Sequence, residues 1–355
     1  MQFPDLAGLV VDAAASFRDH ETVGASIRDV CAAHADLASF EVLGESEEGR
    51  SIYGVVLGKG PRRVSLIAGA HSDEPVGPET LRTFILESLG RREAFAALFE
   101  AYRFVIVPHI NPDGEARNRA WITHWPDLAA YLRHVYRELP GRDLEFGFPA
   151  MRVENRLVAD FMRRHAPFSL HMSLHGMAFS EGAMLLIERH WAGRTQPLRD
   201  GFARAAHDAG LHLHDHNRKG EKGFFYIEPG FTTTPEGAAM RAYFEALGDP
   251  AMAARFHDSS MEFVRTLGGN PLCLVTELPL FVVARHEPHE VGHPAAYRAF
   301  QKRLPELRLH AARHQDLSTA EASFGLQPLS LAVAMRLQLS ALTLGLEAVT
   351  EALPM

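Results

Sequence analysis

The chain has 355 residues, 36 Lys plus Arg against 44 Asp plus Glu, and a formal net charge of −8. That acidic balance excludes a general nucleic-acid binder, because phosphate affinity needs clustered basic residues. With 46% hydrophobic and 23% charged residues, the chain can bury a large globular core, and two cysteines are too few for a disulfide framework.

Taken in chain order, residues 1–15 carry Asp5 and Asp12 and no basic cluster, unlike a secretory leader, so a cytoplasmic location is expected. Residues 24–37 read as an amphipathic helix holding Cys31. Residues 40–43 and 51–57 read as strands around a turn at 44–49. The apolar run 64–68 delivers the chain to His71-Ser72-Asp73-Glu74, and 78–90 reads as a helix. Residues 103–108 form another buried-strand pattern, followed by Asn111-Pro112-Asp113-Gly114, a turn signal. Residues 123–139 read as helical and aromatic-rich, 154–165 as a helix, 168–174 as a strand leading to His175, and 272–278 as a strand carrying Cys273 and Glu277. Both thiols sit in apolar runs and read as buried and free.

Strands alternating with helices predict an α/β fold: a mixed, largely parallel central sheet flanked by helices. After Pro279 the character changes. The reading divides the chain into a sheet domain over 1–290 and a helical C-terminal extension over 291–355, its helices separated near 325–328. The stretch 329–349 is the most apolar, but Arg336, Gln338 and Glu347 interrupt it. It is expected to pack on the domain or on a second copy of the chain rather than span a membrane.

Twenty histidines make metal ligands worth seeking. In His71-x-x-Glu74 an imidazole and a carboxylate can converge on one cation where the chain turns out of a strand. The spacing alone is a weak signal. Its neighbourhood is more specific. Gly69-Ala70-His71-Ser72-Asp73-Glu74-Pro75 and Gly77-Pro78-Glu79-Thr80 resemble the first metal-binding segment of the M14 zinc carboxypeptidase family. Gly44-Glu45-Ser46-Glu47-Glu48-Gly49-Arg50-Ser51-Ile52 is similar to the segment that precedes it in that family. Asn111-Pro112-Asp113-Gly114 and Gly141-Arg142-Asp143-Leu144-Glu145-Phe146-Gly147-Phe148-Pro149 resemble two later ones. The resemblance runs in consistent order from about residue 22 to 282.

The resemblance implies a zinc-carboxypeptidase-like fold and one zinc ion on His71, Glu74 and a third ligand at a strand end. His175 is favoured there over His171. The two are four apart and share a strand face, but His175 sits where the strand gives way to Gly176. The resemblance further implies that Glu277 is the general base, in a strand apolar enough to shift its pKa, and that an arginine after Asn-Pro-Asp-Gly stabilises the oxyanion. Arg117 and Arg119 both follow that turn, and Arg119 is favoured.

The pattern also departs from the family. Members that bind a free C-terminus have Asn-Arg where this chain has Glu145-Phe146, and some have arginine at Asp73. Acids cannot replace the bidentate grip of arginine on a carboxylate. A substrate with an amine or guanidinium near Asp73 and Glu145, or with a blocked end, is therefore expected, with Asn111 and Phe146 as further contacts. The tyrosine that many members carry before the glutamate strand has no counterpart in 256–270; Tyr226 and Tyr243 lie upstream. The insert 121–140, with Trp121, Trp125, Tyr131 and Tyr136, reads either as a pocket wall or as core packing. His212, His214 and His216 alternate as on a strand face and suggest a second metal site, against the plainer reading of a polar edge.

The expected function is zinc-dependent hydrolysis of amide bonds in a small peptide-like or acyl-amino substrate, without a required free C-terminal carboxylate. The runner-up is an N-acyl-amino-acid deacylase of the succinylglutamate desuccinylase or aspartoacylase type; Asn-Pro-Asp-Gly and Gly49-Arg50-Ser51-Ile52 favour the peptidase. A third reading is a non-catalytic peptide-binding relative. No nucleic-acid or membrane partner is expected, and the C-terminal helices could mediate a homo-oligomer.

Overall fold

In the computed structural model, which describes residues 4–215, 217–284 and 295–351, the β-branched and aromatic runs become strands. They are β1 (Ala38–Glu45), β2 (Ser51–Leu57), β3 (Arg62–Ala68), β4 (Tyr102–Val107), β5 (Leu170–Leu174), β6 (Met177–Ser180), β7 (Gly182–Ile187), β8 (His212–Leu213), β9 (Tyr226–Glu228), β10 (Phe231–Thr233), β11 (Leu272–Glu277), β12 (Pro279–Val282) and β13 (Gln327–Pro328). The main sheet runs β1-β2-β4-β3-β5-β11-β7-β10-β9, with β8 beside β7. Its centre, β4-β3-β5-β11, is parallel, while β2 meets β4 and β7 meets β11 antiparallel. A small second sheet joins β13, β12 and β6. The mixed, helix-flanked sheet is the architecture that the sequence predicts.

The two faces of the central strands explain their composition. β5 is buried along its whole length, as a parallel strand covered on both sides must be. Leu170, Met172 and Leu174 point into one core, shared with Leu66, Leu274 and the helices Val76–Gly90 and Leu331–Glu351. Ile67, Val105 and Val107 point the other way, against Val158, Phe161 and Met162 of the helix Val153–His165.

The helix Leu331–Glu351 is apolar and long enough to cross a bilayer by composition, but 61% of its most apolar stretch is buried. Gly345 lets it lie close to the sheet, since a Cβ there would stand 2.9 Å from Leu274 Cδ1. The last helix thus shares one core with the sheet, reaching from the C-terminal region expected as an extension. Cys31 and Cys273 are both buried and free.

Two local expectations change. Asn111-Pro112-Asp113-Gly114 is not a free turn but the start of the helix Pro112–Ile122: the Asn111 side chain accepts from Gly114 N, and Pro112 fills the first helical position, where no N–H is needed. Helix in 123–139 is confined to Leu128–His134, capped by Asp127, whose side chain accepts from Ala130 N. Beyond it the chain is extended, because Tyr136 pairs its backbone with Asn118: its N–H donates to Oδ1 at 2.9 Å and its carbonyl accepts from Nδ2 at 2.9 Å. Trp121 and Tyr131 pack edge-to-face at 5.0 Å, and Tyr131 meets Phe179 and Phe281, so this aromatic stripe is core.

Candidate metal centre and active site

Three parallel strands end side by side. Ala68 of β3 pairs with Leu174 of β5, and Leu174 with Thr276 of β11, so the residues after each strand emerge at one edge, where open sheets of this kind bind ligands. β3 leaves through Gly69, with φ +73° and a would-be Cβ 2.6 Å from His109 Nδ1; no side chain fits there. The following turn, closed by Glu74 N–H donating to the His71 carbonyl at 3.3 Å, brings both side chains to the same edge. His175 follows β5 directly. His71 Nδ1 lies 2.9 Å from Glu74 Oε1 and 3.0 Å from His175 Nδ1, which is 2.9 Å from Glu74 Oε2. Among the described residues this is the only group of three or more His, Cys, Asp or Glu with ligand atoms close enough to share an ion.

The far nitrogens are braced by acids. His71 Nε2 faces Asp143 Oδ2 at 3.3 Å; His175 Nε2 is 3.0 Å from Glu145 Oε2 and 2.8 Å from Ser173 Oγ. Partners of this kind orient metal-binding imidazoles and raise their basicity. Burial and Arg137 oppose charge on His71, but Glu74 and Asp143 outweigh them and hold the ring well above its ordinary range. At His175 burial and His71 oppose charge, while Glu145 and Glu74 push the ring up to about 9. Burial disfavours the Glu74 carboxylate, yet His71 and Arg137 hold its pKa well below the usual range. The cluster therefore demands positive charge, which a divalent ion can supply in exchange for the imidazole protons. Zinc bonds of about 2.0–2.2 Å set tetrahedral ligand atoms about 3.3–3.6 Å apart, so an outward shift of a few tenths of an ångström admits the ion. The donor set fits zinc.

Glu277 ends β11 and borders the same cavity, of about 340 Å³, as His71 and His175. Its Oε2 is buried with no hydrogen-bond partner among the described residues. Burial and the Glu74 charge push its pKa up to about 8, against His175 and His71. A carboxyl so placed is suited to taking up a proton at near-neutral pH.

The cation of the site is not the expected one. Arg119 is half exposed and ion-paired with Asp19, in a separate depression with Phe17 and His20. It projects from the helix that Asn111 caps, and that helix points it away from the strand ends. Arg137 stands there instead: its Nη1 lies 2.7 Å from Glu74 Oε1 and 2.9 Å from Asp73 Oδ1. Asn118 and Ser72 hold the backbone just before it, the Tyr136 carbonyl accepting from both side chains. The signal for Arg137 was its place just ahead of Gly141-Arg142-Asp143-Leu144, in a stretch that reads more readily as helix.

The remaining candidates divide. His171 is fully buried, between Ser65 Oγ at 3.1 Å and Ser260 Oγ at 3.2 Å, away from the cradle. Asn111 is also fully buried; besides capping its helix it donates Nδ2–H to Glu138 Oε1 at 2.7 Å, so it is not a substrate contact. Phe146 lines the cavity. Glu145 borders it, but its carboxylate accepts from Ser260 N and Oγ and from Ser173 Oγ while facing His175. Asp73 is taken up by Arg137. Both acids are thus satisfied inside the protein, which removes the basis for expecting a cationic substrate group. Tyr226 donates to Asp215 and Tyr243 packs on Phe244, and neither lines the cavity. His212 is exposed, His214 Nδ1 lies 2.9 Å from both Glu181 oxygens, and His216 falls outside the described residues.

The sequence reading passed over Gln338 as a functional residue. Buried in the last helix, it donates to the His175 carbonyl at 3.1 Å and to Thr276 Oγ1 at 3.2 Å, and accepts from Thr80 Oγ1 at 2.6 Å. It ties β11, which carries Glu277, to His175 from beneath the sheet. Gln338→Leu keeps the volume but strands buried polar groups, so we expect a loss of roughly 1–3 kcal/mol in stability and of roughly tenfold in metal affinity. Denaturant midpoints and competition with a metal indicator measure the two.

Comparison with known proteins agrees with this geometry. The family model described as zinc carboxypeptidase matches residues 23–151. Carboxypeptidase B of Astacus astacus is 25% identical over 191 residues, covering 45% of this chain and 61% of that protein. Carboxypeptidase D of Homo sapiens is 25% identical over 180 residues, covering 48% of this chain and 12% of that protein. The chain thus spans less than two thirds of the length of these relatives. The solved structure of carboxypeptidase A from Helicoverpa armigera superposes with a TM-score of 0.53 at 13% identity, covering 97% of this chain and 76% of that one, which shows a shared fold. Over residues 23–151 the chain is thus similar to zinc carboxypeptidases in sequence, and it shares their fold.

Proposed function

We propose that the chain is a zinc-dependent hydrolase of amide bonds in small peptide-like substrates. The observation that carries this reading is the meeting of His71 Nδ1, Glu74 and His175 Nδ1 in one cavity with Glu277, whose Oε2 has no hydrogen-bond partner among the described residues. His71, Glu74 and His175 would hold the ion, with Asp143 and Glu145 fixing the two rings. Zinc bound there supplies Lewis-acid polarisation and makes water acidic near neutral pH. Glu277 takes a proton from the attacking water at its free Oε2 and passes it to the nitrogen of the leaving amine. The Arg137 guanidinium, held by Asp73, faces the developing oxyanion. The apolar wall beyond Glu277 excludes bulk water and strengthens these interactions.

Metal analysis and turnover test this together. The chain dialysed against zinc should hold one ion, and His175→Ala should hold none under the same conditions. Hydrolysis of an N-acyl dipeptide should vanish on chelation and return with zinc. Turnover that survives chelation, or a zinc-saturated chain that cleaves no amide, defeats the proposal; the second result favours the peptide-binding alternative.

A further inference from the structure

Arg137 works from a stretch that has no regular structure to hold it. Residues 135–139 belong to no helix or strand. An arginine side chain loses much rotamer freedom when it is fixed, and a cation stabilises a developing charge best when it is in place beforehand. Upstream, the Tyr136 backbone is held by Asn118 and Ser72. Downstream, Glu138 turns inward. It is 8% exposed, and its Oε1 accepts from Asn111 Nδ2 at 2.7 Å. Asn111 is itself held at the start of the helix Pro112–Ile122, where its Oδ1 accepts from Gly114 N at 3.0 Å.

We propose that Glu138 is a positioning residue: its buried carboxylate anchors the chain directly after Arg137 and so aims the guanidinium at the metal cradle. This rests on the hydrolase reading above and adds a residue to it. In an extended stretch neighbouring side chains point to opposite sides. With the side chain of Glu138 drawn inward to Asn111, that of Arg137 is turned to the strand-end edge, where its Nη1 meets Asp73 and Glu74. Asn118 and Asn111 belong to one helix and its cap, so the clamps before and after Arg137 move as one body.

Glu138 also reaches toward the other side of the site. Arg152, 6% exposed, has its Nη1 4.0 Å from Glu138 Oε1, and the same Nη1 donates to the Arg142 carbonyl at 3.3 Å, next to Asp143. Its Nη2 donates to Glu154 Oε1 at 2.7 Å. The segment of Arg137 and the segment whose Asp143 faces His71 thus share one buried guanidinium. Stability alone does not account for the acid. One hydrogen bond from a neutral amide and a guanidinium 4.0 Å away are weak compensation for burying a carboxylate, and its Oε2 has no hydrogen-bond partner among the described residues. An anchor for the oxyanion's cation accounts for it, since a misplacement of about 1 Å can cost roughly a hundredfold in rate.

The test compares Glu138→Ala with Glu138→Gln, which keeps an acceptor for Asn111, in the native chain and in Arg137→Met, all full-length and zinc-loaded. With N-benzoylglycyl-phenylalanine, Glu138→Ala should lower kcat roughly tenfold or more and keep KM within about threefold, while Glu138→Gln should keep most of the rate. Should Glu138→Ala not fold, Glu138→Met, which keeps the volume without the acceptor, takes its place. In the Arg137→Met chain the added Glu138→Ala should change kcat by less than about threefold, because the group it aims is gone. A native kcat in Glu138→Ala overturns the proposal, and so does the same fold loss in both backgrounds, which marks a merely structural role. The reaction of Arg137 with phenylglyoxal, read by peptide mass, reports its placement without turnover. It should be about threefold faster or more in Glu138→Ala than in the native chain, because a released segment opens more often. If no amide is cleaved, the hydrolase reading fails and this rate alone decides; equal rates overturn the positioning role.

Discussion

Glu277→Gln is expected to leave the fold and the metal content intact and to lower kcat for amide hydrolysis by roughly 10²–10⁴-fold, the usual contribution of a positioned general base. The substitution conserves shape. It also removes a buried acid that burial and Glu74 keep hard to ionise, so stability should hold or rise slightly. KM should change little, because the side chain acts on the water and the leaving nitrogen rather than on the bound substrate. Steady-state kinetics with metal analysis on the same sample checks all three. A variant that retains more than a tenth of the rate would mean that another group moves the proton. A variant that loses its zinc would make Glu277 a ligand.

The second large effect is on stability against acid. His20 and His171 are buried as neutral rings. Burial lowers both to about 4; at His20 the neighbouring His109 and Arg82 add to it, and at His171 Glu145 works in the opposite direction. Between their ordinary value of 6.5 and about 4 the unfolded chain binds protons that the folded chain refuses, so stability falls as pH falls through this window. The two together should lower it by roughly 5 kcal/mol between pH 7 and pH 4.5, while Glu277, raised to about 8, works in the opposite direction and returns roughly 3 kcal/mol over the same window. His71 and His175 have the opposite sign. Their raised values give the metal-free chain stability that is fully in place below 6.5 and lost as pH rises toward 9, so they scarcely change within the acid window. Urea midpoints of the metal-free Glu277→Gln chain, which lacks that offset, should show the loss between pH 7 and 4.5, and adding His20→Gln or His171→Gln should each remove about half of it. A pH-independent midpoint in the Glu277→Gln chain would mean that these rings are protonated in the fold.

Much of the architecture was legible in the sequence. The runs around 64–68, 103–108, 168–174 and 272–278 are apolar on both faces, as parallel strands under helices must be. The central strands followed from that pattern, with ends shifted by a residue or two. His71, Glu74, His175 and Glu277 stood out because each follows or closes such a run, and strand ends are where a parallel sheet exposes polar groups. What failed was local. Residues 111–114 read as a turn because asparagine and proline serve both turns and helix caps, and only the following residues' contacts choose between them. Arg119 and Arg137 have the same chemistry. The choice between them depended on Asn118 tying down the Tyr136 backbone, a contact that sequence spacing does not reveal.

The alternation of strands with helices and the chemical types gathered at the strand ends were set by the sequence alone, because they follow from short-range periodicity and residue identity. Which of the charges are already paired inside the protein depends on the fold. Asp73 and Glu145 look available in a linear reading, yet in the fold they are neutralised by Arg137 and by His175 with two serines. The physical reason is that a buried charge must find its partner wherever packing brings one, and those partners here lie tens to more than a hundred residues away along the chain.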